Sequence, residues 1–157
     1  MLKGKLLLAY LAGIIDGEGS VMIKRHRVDS KRGFRFELAV SVTNTALWLL
    51  ELLKLNFGGR IDRQKQKKPI HKPCWIWRID GPSAESCLKA LLPFLQLKKA
   101  QAELALEFHS QQKRGLYLTA LDYALQTAQA LQMRQLNTQT PQLNSTAKDQ
   151  GNGIPSG

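Results

Sequence analysis

The segment Leu11-Ala-Gly-Ile-Ile-Asp-Gly-Glu-Gly19 closes an apolar stretch that predicts a buried helix over residues 5–17. Small residues recur at every fourth position of this stretch, at Ala9, Gly13 and Gly17. A glycine inside a helix costs about 0.5–1 kcal/mol relative to alanine. A close contact between two helix backbones would explain that cost, because small residues let backbones approach each other.

Two carboxylates stand at the end of this predicted helix. Asp16 and Glu18 lie where the helix dipole is negative, so each is locally unfavourable. Residues that break a local rule often mark a functional site. A hard divalent cation would reverse the sign of this electrostatic term, and Mg²⁺ prefers one or two carboxylates with water and phosphate oxygens. The pattern therefore indicates a candidate magnesium site.

The charge of the chain indicates a polyanionic partner. Its 157 residues are 43% apolar, which predicts one folded domain, and 23 Lys and Arg against 12 Asp and Glu give a net charge of +11. Residues 20–80 hold 14 basic and 5 acidic residues, so most of the excess lies in one segment. Nucleic acid is the first expected partner and an anionic membrane surface the second.

Several classes of protein are disfavoured. Two cysteines, Cys74 and Cys87, are too few for a disulfide framework, and the three histidines are too scattered for a zinc site. No apolar run approaches the roughly 20 residues that span a bilayer, and we expect no membrane partner. Lys3 and Lys5 before residues 6–15 imitate a signal peptide, but acidic residues follow where a cleavage site should stand. We expect an intracellular protein.

The periodicity of apolar residues predicts an α+β fold. Alternation is cleanest over residues 34–43, where Phe34, Phe36 and Leu38 begin one apolar face. Strands are predicted at residues 20–28, 34–43, 60–64 and 74–79, and further helices at about 46–56, 83–92, 98–113 and 119–134. The order αββαββα, with added helices, predicts an antiparallel four-stranded sheet with helices on one face. We assign residues 1–136 to this domain and 137–157 to a disordered polar tail.

The opposite sheet face is polar and basic. Such a surface suits readout of DNA in the major groove by strands. A turn at residues 29–33 and a basic loop at 65–73 flank it, and we expect the loop to contact phosphates. The candidate DNA-binding residues on this face are Met22, Lys24, His26, Arg35, Glu37, Ala39, Ser41, Arg60, Asp62, Gln64, Ile76 and Arg78.

The opening segment resembles the signature of the LAGLIDADG homing endonucleases, with six of nine letters identical. The resemblance implies the αββαββα fold of that family. It also implies Mg²⁺-dependent hydrolysis of DNA phosphodiesters, which makes a double-strand break with short 3′ overhangs in a long, pseudo-palindromic target. Single-motif members are homodimers whose motif helices pack about a two-fold axis, which would place Ala9, Gly13 and Asp16 in the dimer interface.

The resemblance also implies the residues of the active site. The Gly17 carbonyl and Glu18 would hold Mg²⁺. Residues 92–102 look like the segment that carries the catalytic lysine, which falls on Lys98. Asn44 falls where relatives have a glutamine that positions water and metal, although it could equally be a helix cap. Trp48 stands where relatives have a basic residue, and we expect it to be a core residue.

Two other functions fit the same fold. One is an intron RNA maturase that aids splicing, and the other is a DNA-binding regulator without catalysis. The presence of both Glu18 and Lys98 favours cleavage, because a protein that only binds needs neither. We expect an organelle location, chloroplast or mitochondrion, in a eukaryotic host and the cytoplasm otherwise.

Overall fold

The computed structural model describes residues 2–28, 33–65, 72–113 and 118–139. Most of the predicted turn at 29–33, most of the basic loop at 65–73 and the tail beyond 139 lie outside these residues. The elements are α1 (Gly4–Glu18), β1 (Gly19–Arg27), β2 (Phe34–Asn44), α2 (Leu47–Phe57), β3 (Arg60–Arg63), β4 (Trp75–Asp80), α3 (Gly81–Leu91), a 3₁₀ turn (Leu92–Phe94), α4 (Lys99–Gln111) and α5 (Ala120–Thr138).

The strands form one antiparallel sheet of four, in the order β1-β2-β4-β3. The predicted α+β class and the four-stranded antiparallel sheet are therefore confirmed. Leu38, Val40 and Val42 of β2 are fully or almost fully buried, as their alternation predicted. They join Leu11 of α1 and Phe108 of α4 in a single apolar core beneath the helices.

Two aromatic residues lie elsewhere than expected. Trp48 is 60% exposed, so the prediction that it belongs to the core is wrong. The buried side of α2 is filled by Leu50 and Leu53, which leaves Trp48 on the opposite side of that helix. Phe34 is also exposed, since it lies near the end of the β1–β2 hairpin, where the Arg25 guanidinium stacks 4.2 Å from its ring centroid.

The last helix extends further than the sequence predicted. α5 continues past Arg134 to Thr138, so its final residues belong to the folded domain rather than to the tail. Asn137 explains the extension, because its Nδ2 donates to the Val21 carbonyl at 2.9 Å. That bond ties the end of α5 to the edge strand β1.

Gly19 lets the first helix run directly into the first strand. It is the C-cap of α1 and the first residue of β1, and its N–H donates to the Ile15 carbonyl. A Cβ at this position would lie 2.6 Å from the Ile15 oxygen, closer than any side chain tolerates. Only glycine therefore permits this junction without a loop.

A buried carboxylate joins α1 to the segment before α4. Asp16 is 9% exposed, and its two oxygens accept the backbone N–H groups of Gln96 at 2.8 Å and Lys98 at 2.9 Å. Lys98 is the N-cap of α4 and Gln96 precedes it by two residues, so neither N–H group has a partner within that helix. Asp16 therefore connects the first helix to a segment about eighty residues later in the chain.

The described helices include none that is both long and apolar enough to cross a bilayer.

The cysteines differ in their surroundings, although both are free thiols. Cys87 is fully buried in α3, and desolvation raises the pKa of its thiol to about 12. Cys74 is only half-buried, just before β4.

Replacing Asp16 by Asn should destabilise the fold. An amide presents one N–H₂ group where the carboxylate presents an acceptor, so one of the two backbone N–H groups loses its partner. We expect the free energy of unfolding to fall by about 1–3 kcal/mol in urea titrations. The control Glu103→Gln, on the exposed side of α4, should change it by less than about 0.5 kcal/mol. Equal stability of Asp16→Asn and wild type would contradict the role of this contact.

The two cysteines should differ in reactivity. Because the thiolate is the nucleophile and the pKa of Cys87 is raised to about 12, Cys87 should not react with a thiol reagent at pH 8 while the protein is folded. Cys74 should react in the folded state. Mass spectrometry should count one labelled cysteine in the folded protein and two in the urea-unfolded chain, which is the control. Labelling of Cys87 as fast as Cys74 in the native protein would contradict the packing.

Candidate functional site

Glu18, Asn44 and Lys98 meet at one end of the sheet. Glu18 is the last residue of α1 and is exposed. Gly19 pairs with Val42 in the β1–β2 register, so Asn44, at the end of β2, lies at the same edge. The Lys98 ammonium donates to the Asp16 carbonyl at 2.6 Å, at the same end of α1. The predicted catalytic residues therefore come from three separate parts of the chain and lie at the same end of the sheet.

Lys98 is hydrogen-bonded to Asp16 through both its backbone and its side chain. Its backbone N–H bonds the Asp16 carboxylate, and its Nζ reaches the backbone carbonyl of the same residue. The side chain is half-buried and crosses the carboxyl end of α1, where the helix dipole is negative. The ammonium therefore partly offsets that dipole in the turn that also carries the Glu18 carboxylate.

Asn44 stabilises the turn that leads into α2. Its Oδ1 accepts the N–H of Ala46 at 2.8 Å. The prediction that Asn44 caps the helix is wrong, because Ala46 is the N-cap of α2 and no side chain bonds the first turn of that helix. The bond uses only the amide oxygen, so the Nδ2 group can still donate to a water molecule.

The carboxyl end of α1 fits Mg²⁺ only in part. Among the described residues, no group of three or more His, Cys, Asp and Glu side chains could hold a metal ion. A single chain offers the exposed Glu18 carboxylate and nearby backbone carbonyls such as that of Gly17. Mg²⁺ accepts such a sparse set when phosphate oxygens and water complete its octahedron. The donors therefore fit a metal shared with a bound nucleic acid.

The polar sheet face is arranged in rows by the strand register. Met22 lies opposite Ala39 and then Asp80, while Arg78 lies between Ser41 and Arg60. Asp80 was missed in the sequence analysis, where β4 was ended one residue early. Continued alternation from Arg78 would have placed it on this face.

Three of the candidate DNA-binding residues are less accessible than expected. Ala39 is 0% exposed, and Ser41 and Ile76 are each 9% exposed. All three have the predicted orientation, but they belong to the central strands β2 and β4. They therefore lie at the bottom of the face and offer little surface to a ligand.

Each acidic residue on this face is paired with a basic one. Lys24 lies 3.8 Å from Asp80, and His26 lies 3.5 Å from Glu37. Asp62 lies 3.4 Å from Arg60 and 3.6 Å from Arg78. The remaining predicted contacts, Arg35 and Gln64, are exposed; Arg35 lies near the start of β2, and Gln64 directly follows β3, which ends one residue earlier than predicted.

A cavity of ≈ 360 Å³ adjoins Lys98. Its wall includes Asp16 and Ser20, together with Gln101 of α4 and Asn137 of α5. The sequence analysis did not single out the two amides, because polar residues on amphipathic helices carry no signal for a site. The geometry shows that α5 contributes to the surroundings of the lysine.

The expected dimer-interface residues divide into two groups. Ala9 and Gly13 are exposed, whereas Asp16 is buried and both its carboxylate oxygens are bonded within the chain. Its carboxylate therefore faces inward, which revises the interface assignment. A Cβ at Gly13 or Gly17 would have no neighbour within 4 Å, so nothing in the described part of the chain requires glycine there.

Comparison with solved structures shows the same fold in DNA endonucleases. The homing endonuclease I-CvuI, in complex with the I-CreI target in the presence of Mg, has a TM-score of 0.69 at 20% identity, covering 88% of this chain and 87% of that one. The archaeal intron-encoded homing endonuclease I-Vdi141I, complexed with DNA, has a TM-score of 0.69 at 21% identity, covering 85% and 86%.

Comparison of sequences gives a relative as well. The DNA endonuclease I-CvuI of Chlorella vulgaris is 32% identical over 107 residues. This match covers 66% of the chain and 63% of the relative, so it spans just under two thirds of that protein's length. The family model for LAGLIDADG endonucleases matches residues 11–113, which is more than half of the chain. Together with the motif at the end of α1 and the shared fold, this match shows that the chain belongs to the LAGLIDADG endonuclease family.

Proposed function

We propose that this protein is a site-specific homing endonuclease that hydrolyses one phosphodiester on each strand of double-stranded DNA. The convergence of Glu18 and Lys98 carries the proposal. A carboxylate that can hold a cation and an ammonium that can face a phosphate sit at one helix end, beside a basic sheet face. Such pairing of charges suits phosphodiester hydrolysis rather than binding alone.

The residues divide the chemistry among them. Glu18 and the Gly17 carbonyl would hold Mg²⁺, which supplies Lewis-acid stabilisation of the phosphate and of the attacking water. Lys98 places a fixed positive charge beside the phosphate, where negative charge grows in the transition state. Asn44 orients water through its Nδ2 group. The polar sheet face reads the bases, with arginine and lysine donating to guanine and glutamine to adenine.

The active protein would be a homodimer, because cutting both strands takes two copies of this site. The exposed side of α1 has the character of such an interface. It combines Ala9, Gly13 and Gly17 with the apolar Leu6 and Tyr10, which are 69% and 40% exposed. A second copy of the chain packed against α1 would explain why Gly13 and Gly17 are glycines, although the described part of the chain leaves room for a side chain there.

An apolar groove continues this surface towards α2. Its volume is ≈ 690 Å³, and Tyr10, Trp48 and Leu55 are among the residues that line it. Trp48 is 60% and Leu55 77% exposed, which is a large apolar area for a free surface. In a dimer with its two-fold axis along α1, the second copy would cover the groove. The dimer would then present two identical sheets to a long, pseudo-palindromic target. Symmetry would also give the two cuts a fixed stagger, seen as short 3′ overhangs.

Replacing Glu18 by Gln should abolish cutting without abolishing binding. A cleavage screen over a library of target sites with Mg²⁺ would first identify a cleaved sequence. On a plasmid bearing that sequence, the variant should linearise DNA at least about 10²-fold more slowly, because the amide no longer offers an anionic ligand. Gel-shift affinity for the same sequence should persist.

The control for this experiment is Glu103→Gln, which makes the same chemical change on the exposed side of α4. It should cut like the wild type. Cleavage by Glu18→Gln at the wild-type rate would contradict the assignment. Binding of the wild type to intron RNA, with no nicking of any DNA, would replace the proposal with the maturase function.

Replacing Gly13 by Leu should separate folding from assembly. Nothing lies within 4 Å of a Cβ at this position, and Leu favours a helix by several tenths of a kcal/mol over Gly, so the monomer should fold. The added side chain should hold two α1 backbones apart. Light scattering should show a dimeric wild type and a monomeric variant that no longer cuts both strands.

The control Gln132→Leu, on the exposed side of α5, should remain dimeric. A monomeric wild type, or a dimeric Gly13→Leu variant, would contradict this interface.

A further inference from the structure

One carboxylate oxygen on the polar sheet face serves two arginines. Asp62 Oδ2 lies 3.4 Å from Arg60 Nε and 3.6 Å from Arg78 Nη1. All three residues stand on the same face of neighbouring strands β3 and β4. The side chains are 65% exposed for Arg60, 50% for Asp62 and 33% for Arg78, so Arg78 is the most covered of the three.

The position of this carboxylate needs an explanation. A surface that only had to attract DNA would be better without Asp62, because a carboxylate repels phosphates and reduces the release of counterions. Arg60 and Arg78 are directly opposed in the β3–β4 register, and like charges in that arrangement repel each other. Asp62 relieves the repulsion and draws both guanidinium groups to one point.

The contacts leave the arginines able to bind further. A guanidinium has five N–H donors in a planar fork, and Asp62 faces only Nε of Arg60 and Nη1 of Arg78. Arg78 keeps additional N–H groups for a second partner. Since a long side chain loses rotamer freedom when it binds, an arginine whose guanidinium is already drawn towards a neighbouring carboxylate loses less.

A planar fork oriented by a neighbouring carboxylate matches guanine better than phosphate. Guanine offers O6 and N7 side by side in the major groove, and a bidentate arginine is the commonest contact that recognises it. A phosphate would need no such orientation and would be repelled by the adjacent carboxylate. The geometry therefore favours base recognition over backbone contact at this point of the sheet.

We propose that Asp62 is a positioning residue that fixes Arg78 for bidentate recognition of a guanine in each half of the target. It acts through Arg78 and does not itself read cytosine. The inference rests on the proposed function and extends it from a basic reading surface to one named contact.

The test compares sequence preference with overall affinity. Wild-type protein selects DNA from a pool of duplexes with a fully randomised segment, without Mg²⁺ so that nothing is cut. Dissociation constants are then measured for every single base-pair change in the selected sequence. Asp62→Asn should lose about tenfold discrimination for one guanine per half-site. Its affinity for random-sequence duplex should rise, because a negative charge is gone.

Two further variants identify the mechanism. Arg78→Lys should lose preference at the same guanine, since an ammonium lacks the fork. The double variant should lose little more than either single one, because both act on one contact. The matched control Glu37→Gln removes an equal charge from the same face, where it pairs with His26, and should leave the preference for this guanine intact.

The other outcomes each overturn the inference in a recognisable way. If Asp62→Asn binds every duplex more tightly with an unchanged preference profile, Asp62 only balances charge. If Arg78→Lys keeps the preference that Asp62→Asn loses, Asp62 contacts the cytosine of that base pair directly. If the wild type selects no sequence at all, the proposed function fails and the inference fails with it.

Discussion

The geometry of the site depends on the bond between the Asp16 carboxylate and the backbone N–H groups of Gln96 and Lys98. This carboxylate is buried and takes no part in the proposed chemistry. It fixes where α4 begins relative to the end of α1, and so it fixes where the lysine can reach. A charged group at the unfavourable end of a helix dipole is tolerated here because two backbone N–H groups donate hydrogen bonds to its oxygens. The proposed catalytic residues Glu18 and Lys98 therefore depend for their placement on a third acidic residue, Asp16.

The polar face shows a similar division between attraction and information. Its net positive charge suits any polyanion, but each of its three acidic residues lies against a basic partner. Those pairs reduce attraction to phosphate while restricting the positions of long side chains. Central residues such as Ala39 and Ser41 are buried, so they deepen the surface but offer little area for contact with a ligand. The surface therefore has the character of an ordered reading surface more than that of a basic patch.

Local patterns in the sequence predicted the local structure well. Alternation over residues 34–43 located β2, and Thr119 with Asp122 forms the capping box that starts α5 close to its expected position. The resemblance pointed to Lys98, which the structure brings to the end of α1. Long-range facts were not accessible in the same way. Periodicity cannot show that Asp16 bonds a segment about eighty residues away, nor which side of α2 the core fills, and Trp48 was misplaced for that reason.

The junction at Gly19 has a consequence for where DNA would be cut. With no loop between α1 and β1, the backbone holds Glu18 at a constant offset from the first side chains of the sheet, such as Met22 and Lys24. Because side chains alternate between the faces of a strand, residues on one face recur about every 6.6 Å, close to the length of two stacked base pairs. If the protein cuts DNA as proposed, mutations that alter which bases the sheet reads would leave the distance from those bases to the cut bond unchanged.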